Sequence, residues 1–213
     1  MALLVKEIYP AIIGEGLDAG FPGLLIRLAG CNLRCSYCDT AYAWKGGKQR
    51  TRKQILSIAR KHGFKMVLLT GGEPLFQEES LGLMNDLIKA GHRVLLETNG
   101  SLSIAKVPQA AHIIMDIKTP GSGAHASNDY RNLKFLKKTD EVKFVLAGDQ
   151  DYHWAKKMLE HKKLDGKFAL NFSPAHNLLA RARLAKWMIR DKLDVRLNLQ
   201  LHRILFPGKN RGV

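Results

Sequence analysis

Short apolar runs alternate with longer amphipathic stretches along this chain. The runs predict strands at 24–28, 66–69, 94–97, 113–117, 142–146, 168–172 and 195–199. The stretches between them predict helices at 52–62, 79–90, 129–138, 152–161 and 175–190. In the last of these, Leu184, Trp187 and Met188 recur at i, i+3 and i+4. Arg183, Lys186 and Arg190 lie off that face, so Trp187 and Met188 read as core. Strand–helix alternation predicts an α/β fold, a mainly parallel sheet with helical crossovers. Such sheets place ligands at the C-terminal ends of their strands. Here the polar and glycine-rich segments 30–40, 70–74, 98–100, 118–123 and 173–174 each follow a predicted strand. One face can therefore collect them all. A complete eight-fold barrel takes about 250 residues. At 213 residues the chain predicts a partial, open TIM-type barrel of about six or seven strands, one domain over residues 1–213.

Residues 1–13 are apolar but carry Lys6, Glu7 and Pro10. They lack a basic leader and a small-residue cleavage site, so they are not read as a signal peptide. No apolar run approaches the roughly 20 residues that cross a bilayer. The expected location is the cytoplasm, with no membrane partner. A net charge of +15 raises the question of nucleic acid. The basic residues are spread, in stretches such as 48–52, 134–138 and 181–190, and aromatic residues do not interleave with them as a base-stacking groove requires. The expectation is a solvated basic surface that draws an anionic small molecule, with no direct nucleic-acid contact.

All three cysteines fall in Cys31-Asn-Leu-Arg-Cys35-Ser-Tyr-Cys38-Asp-Thr. An odd number this close together is a poor disulfide framework. A thiolate metal or cluster site, kept by a reducing compartment, is the natural alternative. Three thiolates on one tight loop can ligate three irons of a cubane and leave the fourth open to a cosubstrate. The rival is structural zinc, with His62 as a fourth ligand. Zinc sites usually use two separated pairs, and no second pair exists here.

Two further motifs sit at strand ends. Thr70-Gly-Gly-Glu-Pro74 has two glycines that let backbone approach a ligand closely. Glu97-Thr98-Asn99-Gly100 offers a carboxylate that can accept from an ammonium or hydroxyls. Together with CxxxCxxC and the aromatic Tyr37 before the third cysteine, they resemble the radical S-adenosylmethionine (SAM) superfamily. The resemblance implies a 4Fe-4S cluster on Cys31, Cys35 and Cys38, whose open iron chelates SAM. Reductive cleavage of SAM then gives a 5′-deoxyadenosyl radical.

Flanking segments narrow the resemblance. They are Glu7-Ile-Tyr, Gly14-Glu-Gly16, Cys38-Asp-Thr40 followed by Trp44, Asp116-Ile-Lys118-Thr-Pro-Gly-Ser-Gly123, Val142-Lys-Phe-Val145, Asp151-Tyr-His-Trp-Ala155, Phe172-Ser-Pro174, Leu199-Gln-Leu-His202 and Arg211-Gly-Val213. Over nearly the whole chain this set is similar to the 7-carboxy-7-deazaguanine synthase family of the queuosine pathway. That family contracts 6-carboxy-5,6,7,8-tetrahydropterin to 7-carboxy-7-deazaguanine and releases ammonia. It uses magnesium and regenerates SAM. The resemblance further implies a homodimer and a flavodoxin- or ferredoxin-type electron donor.

Carried over by position, SAM contacts fall on Tyr37, Cys38, Asp39, Gly72, Glu97, Asp116, Ile117, Lys118 and Ser173. Magnesium falls on Thr40, whose hydroxyl could otherwise cap the next turn. Substrate contacts fall on Ile12, Ile13, Gly14, Arg27, Thr70 and the terminal Val213. Arg27 would fork onto the pterin carboxylate, or else form a strand-edge ion pair. One departure is Ile13, where the family commonly has glutamine. A side-chain amide contact is lost there, and a backbone contact is expected to survive. Two rivals remain: a glycyl-radical-enzyme activase, also small and radical SAM, and a basic zinc module binding RNA.

Overall fold

In a computed structural model, residues 2–209, 211 and 212 are described. Val213, expected at the substrate, lies outside them. The strands are β1 (Ala2–Ile12), β2 (Pro22–Leu28), β3 (Lys48–Thr51), β4 (Met66–Gly71), β5 (Arg93–Thr98), β6 (His112–Asp116), β7 (Glu141–Leu146), β8 (Ala169–Pro174) and β9 (Arg196–Leu197). The α-helices are α1 (Arg52–His62), α2 (Glu79–Lys89), α3 (Asp149–Lys162), α4 (Arg181–Arg190) and α5 (Leu201–Leu205). All nine of these strands form one sheet in the order β3-β1-β2-β4-β5-β6-β7-β8-β9.

From β2 to β9 every neighbouring pair is parallel, which gives the expected open barrel seven strands. β1 and β3 add an antiparallel edge that the apolar runs did not predict. β1 interrupts its apolar positions with Lys6, Glu7 and Pro10, and β3 is wholly polar. Both exist because tertiary pairing overrides local preference.

The helices differ most from expectation in three places, beyond α3 starting three residues early. Residues 129–138 form only a 3-10 turn, Tyr130–Lys134. The Asp129 side chain accepts from Arg131 N. Asn132 donates to the carbonyls of Gly100 and Leu102 and accepts from Ile104 N, which spends the segment's polar groups on its neighbours. The crossover from β6 to β7 thus has no α-helix. α4 starts at Arg181 rather than 175, after a turn in which Asn177 takes φ 61°. α5 was not anticipated. α1 keeps its predicted bounds, set by a Thr51–Gln54 capping box and a left-handed Gly63 at its end.

Period-two alternation divides each strand between two faces. Leu24, Ile26, Leu28, Val67, Leu69, Val94, Leu96, Val142, Phe144, Leu170 and Phe172 are buried in the main core, together with α1–α4. Met188 is buried there, and Trp187 packs against it. The intervening positions, Arg27, Thr70, Glu97, Asp116, Lys143 and Ser173, line the concave side. Ladder register places Arg27 beside Thr70 and Asp116 beside Lys143. Deeper on that side Leu25, Leu68, Leu95, Met66 and Ile13 form a small apolar floor.

Between β1 and β2 the chain crosses the base of the barrel. Arg93 Nη2 donates to Asp18 Oδ2 at 2.6 Å, Leu17 N to Glu141 Oε1 at 2.8 Å, and Gly16 N to Asn198 Oδ1 at 2.8 Å. Leu201 N donates to the Gly14 carbonyl at 3.0 Å. This loop thereby ties the β1–β2 connection to the starts of β5 and β7 and to the segment just after β9.

Candidate active site

The predicted strand-end segments converge on one cleft. It is lined by Ile12, Ile13, Gly14, Arg27, Cys31, Cys35, Tyr37, Cys38, Asp39, Thr40, Thr70, Gly72, Glu97, Asp116, Lys118 and Ser173. Ile117 is the exception among the described candidates. Its side chain is buried in the main core, and only its backbone, donating to the Lys143 carbonyl at 2.8 Å, faces this region.

The cysteine loop is pinned on three sides. Asn32 Nδ2 donates to Ser101 Oγ at 2.8 Å and accepts at Oδ1 from Asn99 Nδ2 at 3.1 Å. Ser36 donates from N to the Ser122 carbonyl and from Oγ to the Gly121 carbonyl. The Tyr37 hydroxyl donates to the Val145 carbonyl at 2.9 Å and lies 3.2 Å from Thr119 Oγ1. Beneath the loop lies the diglycine turn. A Cβ on Gly72 would fall 2.2 Å from the Gly30 carbonyl oxygen and 2.8 Å from Cys31 Cβ. The glycines therefore serve close approach to the cluster loop itself, not only to a ligand.

Glu73 does not face the cleft. Fully buried, it accepts from Leu75 N, Thr98 Oγ1 and Asn99 N at 2.6–2.9 Å, locking the turn after β4 to the one after β5. Burial pushes its carboxyl up to about 7, against the pull of those donors. A carboxyl with a raised native pKa binds protons more tightly folded than unfolded. Its contribution to stability therefore falls as pH rises from the unfolded value near 4.5 through about 7. Wild type is expected to lose ground to Glu73→Gln across that window, as read by urea denaturation at pH 5 and pH 8.

Cys31, Cys35 and Cys38 are free thiols, each partly exposed to the cleft. Leu33 N lies 3.4 Å from Cys31 Sγ and donates to it. Burial pushes the Cys35 and Cys38 thiols up, while the nearby Lys118 charge pulls them down. Among the described residues, no three His, Cys, Asp or Glu side chains gather tightly enough for a single metal ion. A cubane, whose thiolates sit on three separate irons, asks for the wider spread of three cysteines around one loop. His62 ends α1 as an exposed residue and does not line the cleft.

The inner wall of the cleft is charged. Lys143, 7% exposed, lies 2.8 Å from Glu15 Oε2 and 3.4 Å from Asp116 Oδ1. Lys118 Nζ lies 2.5 Å from Asp116 Oδ2. Burial disfavours charge on both lysines, yet their carboxylate neighbours hold both above the usual lysine range. Burial likewise opposes ionisation of Asp116, which the two lysines hold below its usual range. Glu97 goes the other way. Burial raises it despite Lys143, and Thr70 Oγ1 donates to its Oε2 at 2.8 Å. Lys143, Glu15, Gln200 and His202 line the cleft but were read only as parts of motifs. The available signal was Lys143, a lysine inside an otherwise apolar strand run.

Thr40 and Arg27 each had two readings. Thr40 stands at the N-cap of a short 3-10 turn but makes no side-chain cap. Its hydroxyl donates instead to Asp39 Oδ1 at 2.7 Å. Arg27 does form an ion pair, Nε to Glu7 Oε1 at 2.7 Å, and that oxygen also accepts from the Tyr42 hydroxyl at 2.6 Å. Arg27 still lines the cleft, so the pair orients it there. The Ile13 N–H donates to the Phe21 carbonyl and its carbonyl accepts from Gly20 N, while its side chain gives the cleft an apolar wall.

Residues 25–157 match the model of the Radical SAM superfamily. A 7-carboxy-7-deazaguanine synthase of Koribacter versatilis is 38% identical over 224 residues, covering 98% of this chain and 99% of that one. That of Chlorobaculum tepidum is 39% identical over 214 residues, covering 99% and 97%. The chain belongs to the 7-carboxy-7-deazaguanine synthase family. The fold agrees: the crystal structure of QueE from Escherichia coli superposes with a TM-score of 0.78 at 21% identity, covering 94% of each chain. Streptococcus suis SuiB bound to S-adenosylmethionine matches more loosely, at TM-score 0.55 over 80% of this chain and 44% of that one. As a radical SAM family, the synthases use a 4Fe-4S cluster and SAM, and the cysteine loop here fits that cluster. No helix among the described residues is long and apolar enough to cross a membrane.

Proposed function

We infer that this chain contracts 6-carboxy-5,6,7,8-tetrahydropterin to 7-carboxy-7-deazaguanine with loss of ammonia, the radical SAM lyase step toward queuosine. The observation that carries the reading is the meeting of Cys31, Cys35 and Cys38 with Arg27, Thr40 and Thr70 in one cleft. When bound, the cluster and SAM supply a carbon radical that takes hydrogen from the pterin carbon bearing the carboxylate.

The chain's own residues then divide the work. Gly72 spends its N–H on the Leu28 carbonyl, so its carbonyl oxygen is the group left for the SAM ammonium. Backbone at Tyr37, Cys38 and Asp39 and at Asp116, Ile117 and Lys118, with Glu97 and Ser173, takes the rest of SAM. Arg27, held on Glu7 through Nε and hydrogen-bonded also to Tyr9, is oriented in the cleft to meet a carboxylate. Thr40 would offer its hydroxyl oxygen to magnesium, an ion that commonly keeps several waters among its ligands. Ile12, Ile13 and Gly14 form the pterin edge with Thr70, and Val213 is assigned to the substrate by position. Residues 1–213 act as one domain, as a homodimer in the cytoplasm, with a flavodoxin- or ferredoxin-type donor and no direct nucleic-acid contact.

Anaerobically reconstituted protein given SAM, reductant, Mg2+ and the carboxypterin should develop deazapurine absorbance. SAM cleavage without that absorbance would favour a glycyl-radical-enzyme activase. Zinc in place of iron and sulfide would favour the RNA-binding module.

A further inference from the structure

Gln200 lies just before α5, where the base-crossing loop meets the cysteine loop. Its Nε2 lies 3.1 Å from Glu15 Oε1 and 2.8 Å from Asp39 Oδ2, and donates to both. Both partners are carboxylate oxygens, which only accept, so chemistry fixes the amide's orientation and uses both its N–H bonds. The far oxygen of Asp39, Oδ1, accepts the Thr40 hydroxyl at 2.7 Å. The far oxygen of Glu15 accepts from Lys143 at 2.8 Å and from Asn198 at 3.1 Å. A single amide therefore links the loop carrying Gly14 to the residue that orients Thr40.

We propose that Gln200 is a positioning residue for magnesium, acting through Asp39 on the Thr40 hydroxyl. The inference rests on Thr40 being the magnesium ligand. A hydroxyl is a weak ligand, and it ligates only through a lone pair. With its proton committed to Asp39, the Thr40 oxygen has its lone pairs free for a cation. Asp39 can hold that proton in place only if its own carboxylate is fixed, which the Gln200 bond does. Losing the partner directly behind a ligand, here Asp39, typically costs about 10- to 100-fold in metal affinity, and Gln200 fixes that partner from one bond further back. Without Gln200, Asp39 and Glu15 also lose the donor they share.

The test uses reconstituted holoenzyme with SAM and carboxypterin, Mn2+ as the probe, and the loss of the free Mn2+ electron paramagnetic resonance signal as the readout. Gln200→Met should weaken Mn2+ binding about 10-fold, the low end for loss of a partner behind a ligand, with SAM affinity within about twofold of wild type. Thr40→Val should weaken Mn2+ at least as much. If Gln200→Met binds Mn2+ within about twofold of wild type while Thr40→Val does not, the inference is overturned and Thr40 keeps its role. If Thr40→Val binds Mn2+ normally, the Thr40 reading fails and the inference falls with it. Parallel loss of SAM and Mn2+ affinity in Gln200→Met would mean general disruption and would also overturn it. Should Gln200→Met not fold, Gln200→Asn, one methylene too short to span both carboxylates, makes the same comparison.

Discussion

Replacing any one of Cys31, Cys35 or Cys38 with alanine is expected to abolish pterin turnover and to strip the protein of stable cluster. On the proposed assignment each thiol would hold a different iron, so no neighbour could substitute. Among the described residues no further cysteine exists, and the His and carboxylate side chains do not gather there as a metal-ion site. The loop around them should survive the change. It is held by Asn32, Ser36 and Tyr37 to three separate strand ends, none of which involves a cysteine side chain. The variants should therefore stay folded while losing the visible absorbance and the roughly four irons of a cubane. Iron and sulfide assays beside circular dichroism separate the two effects. A cysteine variant that kept full turnover would remove the cluster assignment.

Lys143→Met is expected to be the most destabilising single change in the cleft, at about 3–5 kcal/mol. Methionine matches the length but leaves the largely buried Glu15 without its ion partner, and Asp116 with Lys118 alone. Breaking a buried pair costs more than replacing both members, because the surviving charge is stranded. A protein of this size should melt roughly 10 °C lower. Pairing the change with Glu15→Gln should recover much of the loss, since the stranded charge is then gone. Urea denaturation of the two single variants and the double variant measures this directly. A Lys143→Met protein within about 1 kcal/mol of wild type would show that the pair does not hold the base-crossing loop.

What could be read from sequence follows from how local each signal is. The cysteine loop and the diglycine turn carry their chemistry in a few adjacent residues, and both stand where strand ends were expected. Six of the seven parallel strands were legible because buried parallel strands read as nearly continuous apolar runs, whereas β9 is exposed and was marked only by alternating apolar residues. β3 was not, because a polar strand exists only through its partner, Ala2 to Val5 of β1. The helix expected at 129–138 failed because Asn132 serves backbone groups far along the chain, which no periodicity records. Glu15 and Lys143 stand 128 residues apart in sequence and 2.8 Å apart in space. Each was visible within a motif, but their pairing was not. For Thr40 and Arg27 the sequence left two roles open. The structure leaves Thr40 uncommitted to capping, and shows that for Arg27 the ion pair and the place in the cleft coexist.

A radical generated at the cysteine loop is expected to take hydrogen from the carboxylate-bearing carbon of a pterin held between Arg27 and Thr40. Turnover of 6-carboxytetrahydropterin deuterated at C6, followed by mass spectrometry of recovered SAM, tests it most directly. Deuterium is expected in the recovered SAM together with formation of carboxydeazaguanine. Deazaguanine formed with no label in SAM would contradict it.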